Sequence, residues 1–457
     1  MQKESRDAME KTKATIPLLY DVDEKPRSWK DTLVYATQWL MIMFYPVVWG
    51  YSVVGLGLGM SGEELGLYMV RVVFIIGIST LIQVAAGHKL SMVSGPNIIP
   101  SLAIVAAMSI GGREYAEQAF NAYIIAGVVV AILGVSGIIS HIGKVWTPLV
   151  SGAMILMVGL STSTVGIGLI GAQNATAPFF IGIALALICG YLSIRGKGML
   201  ASIPVLITIV LGYVVFMAIG EFDWALVTSM PTVTIPQIFP YGFSIPPFDL
   251  ILTMLIVNIF SAVNLYGNVQ GYSGIVGRKM SKKDERRYFG LFGLVEGVIA
   301  SIFGVPSNVA YGENLGFVLL TRIASRIFLM IASVAFIVMS FFGNIGGLMA
   351  AMPSAVAGAV LLGIASTLIG IGASNWHANA KFQTREIFIV GFSVFLAYGL
   401  NALPDTFFAT VPRLVGTLFR NPVITVILFV ILLEQLIFRE AKPRLETSIE
   451  PAKGGHE

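Results

Sequence analysis

Charged residues and cysteine are scarce in this sequence. Only 12% of its residues are Asp, Glu, Lys or Arg, whereas soluble globular domains contain about 25%. The single cysteine, Cys189, excludes an intrachain disulfide framework and a thiolate metal cluster, and the four histidines have no metal-ligand spacing. We therefore expect no metal and no cofactor. The composition also argues against a soluble enzyme, a secreted scaffold and a nucleic-acid-binding protein.

Apolar residues make up 56% of the 457 residues, and the mean hydropathy is +0.83. Low-charge stretches of helix-spanning length recur from about residue 31 to residue 439, which leaves only short polar tails at 1–30 and 440–457. The N-terminal tail has no apolar segment of the kind that a cleaved signal peptide needs. The sequence therefore predicts an all-α, multi-pass integral membrane protein embedded in a lipid bilayer.

The number of membrane segments follows from the length of the apolar stretches. A bilayer core about 30 Å thick needs about 20 apolar residues in a helix. Twelve spans are predicted near 31–55, 64–87, 117–140, 145–162, 176–194, 199–220, 247–277, 287–305, 326–346, 350–373, 384–402 and 411–438. Segments 91–110 and 307–325 are also apolar but begin with Gly, Pro or polar residues. We predict half-helices preceded by extended chain there, and fourteen segments in all.

Basic residues are unevenly distributed between the predicted loops. With fourteen crossings and a cytoplasmic N-terminus, the inside loops carry most of them, including the cluster at 278–287. The outside loops carry chiefly Arg113, Arg413 and Arg420. Because cytoplasmic loops are enriched in Lys and Arg, we expect both termini in the cytoplasm.

The two broken segments match each other. Residues 92–100 (Met-Val-Ser-Gly-Pro-Asn-Ile-Ile-Pro) and 309–317 (Val-Ala-Tyr-Gly-Glu-Asn-Leu-Gly-Phe) align Gly95 with Gly312. The same offset of 217 residues places the first span, 31–55, on the eighth. An odd number of crossings separates the halves, so the pattern predicts an inverted repeat. Matched interrupted segments in two halves of a transporter point to its binding site.

Extended chain at membrane depth is tolerated where its polar groups pair inside the protein or line a cavity. Half-helix N-termini at Pro96/Asn97 and Glu313/Asn314 would bring free N–H groups together near the midplane, a site suited to carbonyl oxygens or anions. Pro96 fits the first turn of such a helix, where its missing N–H costs nothing. The alternative is that both segments are simply kinked helices.

A ten-residue pattern begins at the second break. Glu313, Asn314, Gly316, Thr321 and Arg322 occupy its fixed positions. The pattern resembles the signature of the nucleobase/ascorbate transporter family: an acidic residue or Gln, then Asn, any residue, Gly, four residues, Thr and a basic residue. The resemblance covers essentially the whole membrane region and includes Gln38, Gly95-Pro96, Met352-Pro353 and Gly358.

The resemblance implies an architecture. It consists of fourteen transmembrane segments in a 7+7 inverted repeat, with two short antiparallel strands in segments 3 and 10. A core domain would comprise residues 31–141 and 247–347, and a gate domain would comprise residues 142–222 and 348–439. Members of the family form homodimers through the gate domain, and the core moves against the gate as an elevator.

The resemblance also implies a nucleobase site between segments 3 and 10 and the eighth helix. Glu313 would accept hydrogen bonds from a ring N–H, and main-chain N–H groups at Gly312 and near Ile98 would bind exocyclic oxygens. Asn314 would brace the strand-to-helix corner. The other candidate residues are Asn97, Gln38, Trp39, Asn264 and Asn268 for substrate, and Gly316, Thr321 and Arg322 as signature residues, the last two toward the cytoplasmic end.

Three positions depart from the family pattern. Asn264 and Asn268 stand where an acidic residue and a histidine are usual, and Trp39 stands at the position of another histidine. The two asparagines are four residues apart and therefore share a helix face. They either line the pocket, where an amide can both donate and accept hydrogen bonds, or link neighbouring helices.

Glu313 and Glu296 are the candidate coupling residues, because an acid well inside a membrane span is costly and is a functional candidate for that reason. Glu296 has the alternative role of a partner for Arg322, Arg326 or a backbone group. Coupling to protons or to sodium and facilitated diffusion all stay open.

These observations predict a secondary transporter of a nucleobase, such as xanthine or uracil, in the inner membrane of a bacterium. The alternative is anion transport of the sulfate-permease type on the same fold, although the Glu313 carboxylate would repel an anion. A membrane enzyme is disfavoured because the sequence shows no nucleophile or metal constellation.

Overall fold

The structure is a computed structural model that describes residues 14–142, 146–196, 203–377 and 383–439. The predicted tail at 440–457 and the first thirteen residues lie outside this range. Within the described residues, seven helices are long and apolar enough to cross a membrane, or up to nine if each sharply bent helix pair is one span. The expected total of fourteen segments is thus larger than the number of spans that length and composition identify.

The first half contains eight helices and one strand among the described residues. They are α1 (Trp29–Ile42), α2 (Tyr45–Trp49), α3 (Gly62–Ala85), β1 (Ser94–Pro96), α4 (Ile98–Ser136), α5 (Ile138–Ile142), α6 (Pro148–Gly171), α7 (Thr176–Arg195) and α8 (Pro204–Ala218). A π-helical stretch, Gly50–Gly55, continues α2.

The second half follows a connection that contains α9 (Trp224–Ser229). Its elements are α10 (Phe248–Ile275), α11 (Lys282–Leu291), α12 (Ala300–Ile302), β2 (Asn308–Ala310), α13 (Asn314–Thr321), α14 (Arg326–Met339), α15 (Gly343–Ala350), α16 (Ser354–His377), α17 (Thr384–Asn401), α18 (Asp405–Phe408), α19 (Arg413–Phe419) and α20 (Pro422–Leu432). Two further π-helical stretches, Phe292–Ile299 and Leu433–Ile437, continue α11 and α20.

Several predicted spans are broken in the structure. The 39 residues of α4 would extend about 58 Å at 1.5 Å per residue, but Gly112 at φ +77° interrupts the helix. This kink separates the predicted segments 91–110 and 117–140. The predicted single span 411–438 is instead two helices, α19 and α20, bent by 94°, and α14 and α15 are bent by 92°.

The two strands form a two-stranded antiparallel sheet in which Ser94 lies opposite Ala310 and Pro96 opposite Asn308. The predicted pair of short antiparallel strands is therefore confirmed. Pro96 lies in β1, so its predicted place in the first turn of a helix is wrong. Asn97 is the residue that caps α4, because its side-chain oxygen accepts a hydrogen bond from the N–H of Ile99.

Helix contacts come in matched pairs. α1 and α10, which open the two predicted halves, pack against α14 and α4 respectively. In the same way α3 packs against α14, and the π-helical stretch after α11 packs against α4. α6 and α16, which occupy corresponding places in the two halves, pack against each other. These contacts in one half thus have counterparts in the other.

Residues 15–27, before α1, pack against the end of α13. The N–H groups of Leu19 and Tyr20 donate to the carbonyl of Arg322, directly after α13. The Asp23 carboxylate pairs with Arg326 at 2.6 Å and with Arg278 at 3.3 Å. We call residues 15–27 the N-terminal strap.

The basic cluster at 278–287 contains the start of α11. Ser281 and Asp284 form a reciprocal capping box there, in which each side chain bonds the other residue's main-chain N–H. Arg287 also donates to Asp284 at 2.6 Å. These bonds satisfy N–H groups that a helix start otherwise leaves free.

Candidate functional site

Two cavities meet at Glu313, the residue that immediately precedes α13. The first cavity has a volume of about 600 Å³ and lies between α10, α13, α6 and α16. The second has a volume of about 250 Å³ and lies between α1, α13, α7, α8 and α16. The residues that line both are Tyr45, Glu313, Gly316, Thr367 and Leu368.

Glu313 occupies this position because β2 ends at Ala310 and α13 begins at Asn314. The chain between them turns tightly, with the N–H of Leu315 donating to the carbonyl of Gly312. Although protein surrounds it, the Glu313 side chain is exposed to the cavities rather than packed away. A carboxylate next to a helix start lies at the positive end of the helix dipole, which favours negative charge.

The opposite side of the first cavity is formed by the start of α4, where Asn97 and Ile98 line the wall. Asn97 is 1% exposed, and its side-chain oxygen is used as the helix cap. Its amide nitrogen has no hydrogen-bond partner among the described residues. The N–H of Ile98 belongs to the first turn of α4, where N–H groups have no intrahelical partner. This wall therefore offers hydrogen-bond donors to the cavity.

Asn264 and Asn268 both lie in the wall of the first cavity, on α10. Asn268 also links helix and strand, because its amide nitrogen donates to the carbonyl of Ala310 in β2 at 2.9 Å. Its side-chain oxygen faces Gly312, where an added Cβ would lie only 2.8 Å away. Asn268 thus combines the two roles that the sequence left as alternatives.

Asn314 holds the corner between strand and helix. Its side-chain oxygen accepts a hydrogen bond from the N–H of Val93, just before β1, at 2.6 Å. Tyr311 provides a second tie between the halves, with its hydroxyl donating to the carbonyl of Pro96 at 2.7 Å. The bracing role expected of Asn314 agrees with this geometry.

Aromatic side chains line the first cavity, and the sequence analysis did not identify them as site residues. They are Tyr45, Trp49, Trp146 and Tyr311. Tyr45 and Tyr311 pack edge to face with ring centroids 5.6 Å apart. Aromatic walls give large apolar contact to a planar ring. Their only sequence signal is their aromatic character, which a membrane interface would explain equally well.

Gln38 and Trp39 do not line either cavity as far as the described residues go. Trp39 is fully buried, with its ring 4.7 Å from that of Phe317 on α13. The structure therefore places Trp39 behind the site, against the helix that follows Glu313.

Glu296 lies behind the strands and is fully buried. Its carboxylate accepts a hydrogen bond from the amide of Gln83 on α3 at 2.8 Å, and Ser94 of β1 lies beside it. Arg326 instead pairs with Asp23. These contacts differ from the alternative role of Glu296 as a partner for Arg322, Arg326 or a backbone group, because Gln83 of α3 faces its carboxylate.

The remaining signature residues lie along α13. Gly316 lines both cavities. The Thr321 hydroxyl donates to the carbonyl of Phe317 at 2.8 Å and accepts from the N–H of Ile323 at 3.3 Å. Arg322 ends the helix in the left-handed conformation, with φ +62°. Thr321 and Arg322 therefore define the end of the helix and do not contact the cavities.

A family model for xanthine and uracil permeases, described as Permease family, matches residues 30–406. Among curated proteins, the chain is 26% identical to xanthine permease XanQ of Escherichia coli (strain K12) over 433 residues, 89% of this chain and 91% of that protein. It is 25% identical to the xanthine permease of Bacillus subtilis (strain 168) over 82% of this chain and 87% of that one. It is 29% identical to the uracil permease of Bacillus caldolyticus over 65% and 71% of the two chains.

Solved structures share the fold at low sequence identity. The transmembrane domain of a cyanobacterium bicarbonate transporter, BicA, matches with a TM-score of 0.60 and 11% identity over 86% of this chain and 97% of that chain. The murine anion transporter Slc26a9 in its inward-facing state matches with a TM-score of 0.57 and 10% identity over 86% and 67% of the two chains. These likenesses show the fold alone.

Proposed function

Because this chain belongs to the xanthine/uracil permease family, and is therefore a multi-pass membrane transport protein and not an enzyme, we propose that it carries a nucleobase across the membrane. The base binds in the first cavity, with its ring against Glu313. The inner membrane of a bacterium with both termini in the cytoplasm is the proposed location.

One observation supports this substrate class most directly. An acceptor-only carboxylate, Glu313, shares an aromatic-walled cavity with the half-buried amide of Asn264. Uracil and xanthine present ring N–H groups beside carbonyl oxygens, so they need acceptors and donors side by side. The N–H of Ile98, in the first turn of α4, supplies a further donor to the carbonyls, and the Asn264 amide can both donate and accept.

In the proposed architecture, the core domain (31–141 and 247–347) contains α1, α4, α10 and α13. The gate domain (142–222 and 348–439) contains α6, α7, α8 and α16. Both cavities lie between helices of the two groups, which supports substrate passage between them. The matched helix contacts support an inverted repeat of fourteen segments. An elevator movement of core against gate, in a homodimer joined through the gate domains, is part of this proposal.

Among the described residues, hydrogen bonds connect the proposed domains at several points, and two of them are buried or close to the site. The amide nitrogen of the fully buried Asn421 donates to the carbonyl of Ile99 at 2.9 Å, and the Tyr51 hydroxyl donates to the carbonyl of Met352 at 2.6 Å. These bonds must break if the core slides against the gate. Asn421 does not line the two cavities described. Its proposed part in transport is therefore limited to this contact between the domains.

We include coupling to H⁺ or Na⁺ in the proposal, with Glu313 and Glu296 as the candidate coupling residues. Glu313 is open to the cavities, whereas Glu296 is buried beside β1. A proton taken up at Glu313 would compete directly with a ring N–H for the same oxygen. Uptake measured with and without a pH gradient, and with and without sodium, separates the two ions.

The experiment that tests the substrate assignment is uptake of labelled xanthine and uracil into proteoliposomes, together with ligand-induced thermal stabilisation of the purified protein. A hydrogen bond to a charged group contributes about 1.5–3 kcal/mol, so Glu313→Ala should weaken binding about 10-fold to 150-fold. Glu63→Ala, at an exposed site on α3, is the matched control. Undiminished stabilisation in Glu313→Ala would show that the site is wrong.

The likeness in fold does not support anion transport of the sulfate-permease type, because sequence identities of 10–11% carry no information about the substrate. A carboxylate at the meeting point of the cavities also opposes an anion there. Bicarbonate, sulfate or chloride flux that survives Glu313→Gln, without nucleobase binding, would reverse this choice.

A further inference from the structure

The second cavity adjoins the proposed base site at Glu313 and Gly316, at the start of α13. Tyr45, Glu313 and Gly316 line both spaces, so a ring held at Glu313 borders the second cavity as well as the first. The second cavity reaches from there to α7 and α8, away from Asn97 and Asn264. A substituent on the ring could therefore enter it while the ring keeps its polar contacts.

The walls of the second cavity are mainly apolar. They include Met41, Ile42, Cys189, Ile203, Val205 and Leu206. Two hydroxyl groups in the wall already donate within their own helices, from Thr367 to the carbonyl of Ile364 at 2.7 Å and from Ser193 to the carbonyl of Cys189 at 2.9 Å. A space with few free polar partners holds water poorly and favours apolar atoms.

The far wall is fixed by close helix packing. An added Cβ at Gly363 on α16 would lie 2.9 Å from the sulfur of Cys189 on α7. These helices therefore approach each other as closely as a glycine allows, and the cavity is bounded rather than continuous between them. An apolar group of limited size would contact this wall.

We propose that the second cavity is a subsite for an apolar substituent on the nucleobase, so that the protein binds N-alkylated purines or pyrimidines more tightly than the parent base. This inference rests on the proposed function, because the ring must lie at Glu313. It adds a substrate class, alkylated heterocycles, and a set of residues on α1, α7 and α8 that select it.

The test is a series of xanthines and uracils carrying methyl or propyl groups at each ring nitrogen in turn, with affinity measured on the purified full chain. Burial of one methylene in an apolar site corresponds to about a fourfold gain in affinity. We expect one ring position at which the propyl compound binds at least tenfold more tightly than the parent, and positions that contact Glu313 to lose affinity on alkylation. Parent binding without a gain at any position would overturn the subsite, whereas no binding of any base would instead overturn the proposed function.

A filled cavity gives the matching genetic test. Val205→Trp, in the first turns of α8, should abolish the propyl gain and leave the affinity for the parent base within about twofold. Val210→Trp on the same helix, at a position 53% exposed and away from the cavity walls, should keep the gain. An unchanged propyl gain in Val205→Trp would contradict the subsite.

Cys189 provides a measurement that needs no substitution, because it is the only cysteine in the sequence and lines the second cavity. At equal saturation, the propyl ligand should slow modification of its thiol by a maleimide more than the parent base does. Equal protection by the two ligands would place the alkyl group elsewhere and overturn the proposal.

Discussion

Gly312→Ala is the substitution for which the structure gives the clearest quantitative expectation. The new Cβ would lie 2.8 Å from the side-chain oxygen of Asn268 and 3.1 Å from its Cγ, closer than side-chain atoms approach. Asn268 would have to move, and its 2.9 Å hydrogen bond to the carbonyl of Ala310 would weaken. Forced overpacking costs about 1–3 kcal/mol, and a lost hydrogen bond about 1 kcal/mol. The effect is steric, since the strand-to-helix corner itself is retained.

Ligand affinity is the appropriate readout, because both residues line the first cavity. A cost of 1–3 kcal/mol corresponds to about a 5-fold to 150-fold weaker Kd, measured by ligand-induced stabilisation or by equilibrium binding of labelled base. Gly271→Ala, one turn after Asn268 on α10, meets nothing within 4 Å and is the matched control. We expect it to bind ligand like the unmodified protein.

A double-mutant cycle separates this mechanism from a general loss of folding. Asn268→Ala removes the atoms that the new methyl group meets, so adding Gly312→Ala to it should cost less than Gly312→Ala alone by about 1 kcal/mol or more. If the two substitutions are additive, or if Gly312→Ala and Gly271→Ala behave alike, then the contact between Asn268 and Gly312 does not shape the site and the reasoning fails.

Three further predictions concern the regions around the site. Gln83→Leu should lower the free energy of unfolding by about 1–3 kcal/mol, because it leaves the Glu296 carboxylate buried without this partner; an unchanged melting temperature would show that another group satisfies it. In the N-terminal strap, Tyr20→Ala should lower the free energy of unfolding by about 3–5 kcal/mol, as for other buried aromatic side chains. Asp23→Ala should lower it by at most about 1 kcal/mol, because the Asp23 side chain is 59% exposed. Equal effects of the two substitutions in thermal unfolding would contradict this ranking. Burial alone would raise the pKa of Asp284, but its capping hydrogen bonds and the neighbouring arginine outweigh burial and lower the pKa. The charged Asp284 therefore stabilises the fold fully above the pKa of an unfolded aspartate, about 3.9. This stabilisation is lost as the pH falls through the lower pKa of the folded state. Unfolding measured from pH 6 downward should therefore show a smaller acid destabilisation in Asp284→Asn, and identical pH profiles would refute the assignment.

The half-helices and the extended chain before them could be predicted because their signals are local, whereas the pairing of the two strands was implied only by the family resemblance. Gly, Pro and Asn at the start of an apolar segment interrupt a helix wherever that segment packs, since these residues act on their own backbone and its immediate neighbours. The positions of Asn97 and Glu313, each directly before a helix, follow the same logic. Pro96 shows the limit of this reasoning, because a proline without an N–H is equally compatible with a strand that has one partner.

Long-range partners could not be predicted in this way. Gln83 and Glu296 are 213 residues apart, and Asn421 and Ile99 are 322 apart. Asn421 did have a local signal, a polar residue before Pro422 within the apolar stretch 411–438, and the bend between α19 and α20 lies at that point. Its hydrogen bond to the start of α4 depends on how the two halves face each other.

The sequence by itself determined that this is a membrane protein, where its two broken segments lie, and which family signature follows the second break. All of these depend on residue type and spacing along the chain. Tertiary structure alone decided that Glu313 stands between two cavities, that Asn268 serves strand and cavity together, and that Trp39 lies behind the site. The physical reason is that apolar side chains suit both lipid and protein interior. An apolar helix therefore leaves its rotation and its depth undetermined until its neighbours are in place.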